Sequence, residues 1–144
     1  MRNKFIITLL LFLFCNGIYA YKQNAYITNT YFCSNPVVIE NFYQPDSIWN
    51  ILKANNPSAS GTIVLNLLVD KGTHTLEIDI INSQGKAFDW LKFNQIYATK
   101  DNYTYTLTGS FSGRFGAGGI FFKVFDIHNK GIRKEIGTFK LLTK

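Results

Sequence analysis

The stretch Gly61-Thr62-Ile63-Val64-Leu65-Asn66-Leu67-Leu68-Val69-Asp70-Lys71-Gly72-Thr73-His74-Thr75-Leu76-Glu77-Ile78-Asp79-Ile80-Ile81 decides the fold class. In its first half, Ile63, Leu65, Leu67 and Val69 share one parity. After the turn residues Asp70-Lys71-Gly72, residues 73–81 alternate: His74, Leu76, Ile78 and Ile80 on one side, Thr73, Thr75, Glu77 and Asp79 on the other. Successive side chains of a strand point to opposite faces, so a period of two marks a half-buried antiparallel strand. Glycine at position 72 suits a turn because it adopts positive φ without strain.

The same reading extends outward. Asn82-Ser83-Gln84-Gly85 reads as a second turn, and residues 87–97 as a strand whose apolar parity changes, which predicts a bulge near Trp90. Residues 103–112 alternate again, with Tyr103, Tyr105, Leu107 and Phe111 against Thr104, Thr106, Thr108 and Ser110. A glycine-rich connection from Gly113 to Gly119 leads to residues 120–127, apolar on both faces as a central strand requires. His128-Asn129-Lys130-Gly131 turns the chain into a last strand, 132–142, where a parity shift at Gly137 predicts another bulge. Residues 25–32 and 36–43 read as strands, and 45–53 as one short helical turn capped by Asp46 or Ser47. The expected fold is all-β: an antiparallel Ig-like β-sandwich of seven to eight strands with that single helical turn. Ile63, Leu65, Leu67, Leu76, Ile78, Ile80, Leu107, Phe122 and Val124 should form its core.

The second half resembles the small Ig-like sandwich modules of bacterial envelope and secreted proteins. The residues that carry the resemblance are Asp70 to Ile78, the Gln84-Gly85-Lys86 turn, and Gly118-Gly119-Ile120-Phe121-Phe122-Lys123-Val124. It covers roughly residues 61–142 and lacks the Cys…Trp…Cys framework of antibody-type domains. What it implies is a fold; it transfers no activity and no functional residue.

The chain opens with Arg2 and Lys4, then the apolar run Phe5–Phe14, then a polar exit to Ala20. That is the pattern of a signal peptide over residues 1–20, cleaved before Tyr21, and the run is too short for a membrane span, which takes about 20 residues. Lipidation at Cys15 is the alternative, but the bulky Phe14 before it departs from the lipoprotein pattern. The expectation is an exported protein, periplasmic or secreted, with residues 21–144 as one domain and no transmembrane segment in the mature chain. Cys33, the one cysteine beyond the signal, then has no internal disulfide partner and is expected to be buried.

Little in the composition points to chemistry. Setting aside Arg2 and Lys4, the mature chain has a net charge of +4, all of it from the last 22 residues. Lys130, Arg133 and Lys134 around the final turn are the candidate contact for an anionic surface, although edge-strand lysines also serve simply to block aggregation. Arg114 and Phe115 in the glycine-rich connection form a candidate binding loop. Neither histidine has metal-ligand spacing with other donors, and Gly109-Ser110-Phe111-Ser112-Gly113 puts Phe111 where a serine elbow needs its nucleophile. The expectation is therefore a non-enzymatic binding or assembly module with no cofactor, no metal and no nucleic acid, whose partner is an envelope protein or an anionic surface. The alternative is a small hydrolase or carbohydrate-active enzyme, which would need Asp89, Asp101 or His128 to converge in one cleft.

Overall fold

The computed structural model describes residues 24–34, 36–39, 42–45, 51–52, 58–116, 118–128 and 131–143. The signal-peptide and lipidation readings, Lys130 and residues 46–50 and 53 of the expected helical turn lie outside them. Ten strands are described: β1 (Ala25–Cys33), β2 (Pro36–Ile39), β3 (Phe42–Pro45), β4 (Ile51–Leu52), β5 (Ser58–Val69), β6 (Gly72–Asn82), β7 (Ala87–Ala98), β8 (Tyr103–Arg114), β9 (Ile120–His128) and β10 (Ile132–Thr143). They make a three-stranded sheet in the order β1-β5-β8, a five-stranded sheet in the order β4-β10-β9-β6-β7, and the separate pair β2-β3. All pairings are antiparallel except β4 with β10. The protein is an all-β sandwich.

The two larger sheets face each other across the residues that alternation put inside. Ile63, Leu65, Leu67, Leu76, Ile78, Ile80, Phe122 and Val124 are fully buried, and Leu107 is nearly so. Phe122 of β9 ties the layers together, its ring 4.9 Å from Phe32 of β1 and 5.1 Å from Phe111 of β8. Strand β9 lies between β10 and β6, as its two apolar faces required.

Three local expectations change. Residues 36–43 are not one strand: β2 and β3 pair with each other, Pro36 opposite Pro45. Ile51 and Leu52, expected in a helical turn, form β4 instead, alongside Leu142 and Thr143 of β10. Trp90 sits in regular register opposite Asp79, and β7 is bulged on either side of it. One extra residue lies between Ala87 and Asp89, another between Phe93 and Ile96. The second bulge swaps the faces, so Leu91 and Phe93 are followed inward by Ile96 and Ala98, and Tyr97 is 70% exposed. The bulge expected at Gly137 is present, with Glu135 opposite Phe125, Gly137 opposite Val124 and Ile136 as the extra residue. A Cβ at Gly137 would lie 3.0 Å from Ile27 Cδ1 and from the Phe139 ring, so a side chain there would have to push these groups aside.

Candidate functional site

The outer face of the three-stranded sheet carries the polar parity of β5 and β8. Thr62 stands opposite Ser110, and Ser60 opposite Ser112, so their hydroxyls share one face. Strand β3 approaches both β1 and β8, on either side of β5, and the β2-β3 pair therefore crosses this face. Cys33 and Val64 are completely buried there, which is the burial expected for Cys33.

Where β5 starts and β8 ends, a groove of about 590 Å³ remains. Ser34, Ser60, Thr62, Ser110 and Ser112 line it, together with Asp89 from β7 of the facing sheet. Thr62 is nearly buried and donates its hydroxyl hydrogen to the Ser34 carbonyl oxygen over 3.4 Å. Asp89 comes close because β7 and β8 are the sheet edges on the same side of the sandwich, and they are packed by glycine. A Cβ at Gly113 would collide with the Phe88 ring, and one at Gly109 would lie 2.6 Å from Leu91 Cδ1. The serine-rich run 109–113 is thus an ordinary strand: Ser110 and Ser112 point out into the groove while Phe111 points into the core.

The other candidate residues are dispersed. Asp101 precedes β8 at its opposite end, roughly 30 Å of strand from Ser112, and accepts a hydrogen bond from the Lys71 backbone N–H at 2.8 Å. Asp89 and Asp101 therefore do not converge; the side chain of His128 lies outside the described residues. Asp89 is the one titratable group among the described groove residues, and a hydroxyl is a weak nucleophile without an adjacent base.

Phe115 is a core ring, 4% exposed and 4.6 Å from Phe88. Arg114 is exposed at the end of β8. The glycine-rich connection is held by Thr143, whose hydroxyl donates to the Gly116 carbonyl at 2.7 Å and accepts from the Gly119 N–H at 2.9 Å. In the basic hairpin, Arg133 crosses the polar face of β6, 3.2 Å from Glu77 and 2.6 Å from Asp79, with its guanidinium 4.0 Å over the Phe125 ring. Lys134 donates to the Asn24 side-chain oxygen at 3.1 Å. Both side chains are already engaged within the fold.

One polar cluster was only partly signalled in the sequence. His74 is buried on the inner parity of β6, as its alternation implied, and its Nε2 lies 2.8 Å from the Asp70 carbonyl oxygen. Its Nδ1 lies 3.4 Å from Asp126 Oδ2, a carboxylate that is itself buried in β9. The Asp126 hydrogen bond raises the His74 pKa above the usual histidine value; burial opposes this, and the Asp70 carbonyl adds to it. The hint was Asp126 on the same parity as Ile120, Phe122 and Val124 of β9, but its partner is 52 residues away. Among the described residues no group of three or more His, Cys, Asp or Glu could hold a metal ion, and no helix is long and apolar enough to cross a membrane.

No protein-family model matches the chain, and no curated protein matches it. Among solved structures it is similar to the C-terminal domain of wzt, at 11% sequence identity and a TM-score of 0.48, over 88% of this chain and 80% of that one. That likeness is too distant to carry function.

Proposed function

We propose that this is an exported binding module of the cell envelope or extracellular space, akin to the Ig-like modules it resembles, and that its ligand is a neutral polyhydroxyl compound such as an oligosaccharide. The observation that carries this reading is the groove, which serine and threonine residues of β5, β8 and the turn after β1 line beside one carboxylate. A hydroxyl both donates and accepts, so a row of them can match the alternating donors and acceptors of a sugar. The carboxylate adds acceptors that strengthen hydrogen bonds from ligand hydroxyls. Strands of two sheets hold these groups, which limits the entropy lost on binding. Export rests on the Arg2, Lys4 and Phe5–Phe14 pattern.

The test is a screen of the purified protein on an array of neutral oligosaccharides, followed by titration calorimetry with the best glycan. Asp89→Asn and Ser110→Ala/Ser112→Ala should each weaken binding about tenfold or more, since a hydrogen bond to a charged group contributes about 1.5–3 kcal/mol. A wild-type protein that binds no array member, or variants that bind like wild type, would remove the reading.

A further inference from the structure

A second cavity, of about 600 Å³, opens on the outer face of the five-stranded sheet, across the sandwich from the groove, and is lined by Thr75, Lys92, Phe93, Gln95 and Ile127. A bulge of β7 creates it. His74 pairs with Ile96 and Leu76 with Phe93, so Thr75 alone stands opposite two residues, Asn94 and Gln95, and the ladder is interrupted there. Thr75 lies between buried His74 and Leu76, and Ile127, its neighbour on β9, follows buried Asp126, so both side chains face outward. The bulge also turns Tyr97 to this face. Tyr97 stands opposite Thr73, diagonally beside Thr75, and is the most exposed of the large apolar side chains described.

The charges around the cavity select its ligand. Lys92 is the one charged residue in the lining. Its Nζ lies 3.7 Å from Glu77 Oε1, and the side chain is 53% exposed. A long contact at an exposed ammonium contributes little, and two of the three ammonium donors remain to be used. Glu77 does not depend on it, because Arg133 holds the other carboxylate oxygen at 3.2 Å. Arg133 also engages Asp79, and the Thr138 hydroxyl donates to Glu135. On this face four cations, Lys92, Lys123, Arg133 and Lys140, stand against these three carboxylates, which leaves one positive charge. The groove across the sandwich has the opposite character, a carboxylate in its lining and no cation. We propose that this cavity binds a small organic acid with an apolar body. The carboxylate meets Lys92 and the Thr75 hydroxyl in a charge-assisted contact. The body covers Ile127 and the Tyr97 ring, removing apolar surface from water.

The test is a titration of the purified, isotope-labelled protein with phenylacetate, phenylacetamide and acetate, followed in amide proton–nitrogen NMR spectra. The site and the probes differ from those of the groove, so the outcome is independent of the glycan reading. Phenylacetate should shift the Thr75, Gln95 and Ile127 amides saturably. Phenylacetamide, which lacks the charge, and acetate, which lacks the ring, should each bind about fivefold or more weakly. Lys92→Gln and Tyr97→Ala change exposed side chains and should leave the rest of the spectrum in place. Lys92→Gln should remove the advantage of the acid over the amide and keep that of the ring. Tyr97→Ala should do the reverse. The absence of saturable shifts with phenylacetate, shifts confined to groove residues such as Ser110 and Ser112, or a variant that retains both preferences would each overturn the proposal.

Discussion

Raising the pH should destabilise this protein through His74. The ring is buried with an oxygen at each nitrogen, the Asp70 carbonyl at 2.8 Å from Nε2 and the Asp126 carboxylate at 3.4 Å from Nδ1. The imidazolium donates to both. Either neutral tautomer satisfies one and turns a lone pair toward the other oxygen. The folded-state pKa therefore lies above the unfolded value of 6.5, with the Asp126 hydrogen bond as the largest cause. Because the folded state binds the proton more tightly, the contribution is fully present below pH 6.5 and is lost as pH rises through the folded pKa. A buried polar group left facing an unmatched partner costs about 1–3 kcal/mol, and the long Nδ1 contact places His74 toward the lower end. One proton limits the slope to about 1.4 kcal/mol per pH unit. The assay is urea denaturation of wild type and His74→Gln at intervals between about pH 5 and pH 9. The wild-type advantage should shrink as pH rises; a constant or growing advantage would refute the argument.

Leu76→Ala should cost about 2–5 kcal/mol in the same assay, because Leu76 is fully buried between the sheets and truncation leaves a cavity; a loss under about 0.5 kcal/mol would mean the site behaves as surface. Gly113→Ala should destabilise by about 1–3 kcal/mol through collision with the Phe88 ring, and Phe88→Ala should relieve that strain in the double mutant, measured as a double-mutant cycle. Amino-terminal sequencing of the protein recovered from its host should begin at Tyr21; a chain retained with Met1 in the cytoplasm would end the export reading.

Much of the sandwich was legible because strand alternation is local. Residues 61–81 name their own inward side chains, and the parity shift at Gly137 reveals its bulge without reference to any partner. The changes in β7 were only half legible. The parity conflict showed that something interrupts the strand, but two bulges placed either side of Trp90 explain it, and only pairing with β6 could locate them. Short apolar runs such as 36–43 and Ile51-Leu52 contain too few residues to carry a period, so tertiary pairing decided their form.

The candidate site was hardly legible at all. Ser110 and Ser112 read as the polar side of a strand, Ser60 fell outside the strand read from the sequence, and Asp89 read as an isolated carboxylate. They meet because β7 and β8 end different sheets on the same side of the sandwich, where glycines at 109 and 113 let β7 side chains pack closely. The His74–Asp126 pair arose in the same way. Outside β7, the sequence by itself determined which side chains of the long strands face inward, since that follows from a two-residue period and the cost of hydrating apolar groups. Only the tertiary structure decided which polar groups become neighbours, because strand order and register are settled by long-range packing that no local pattern encodes.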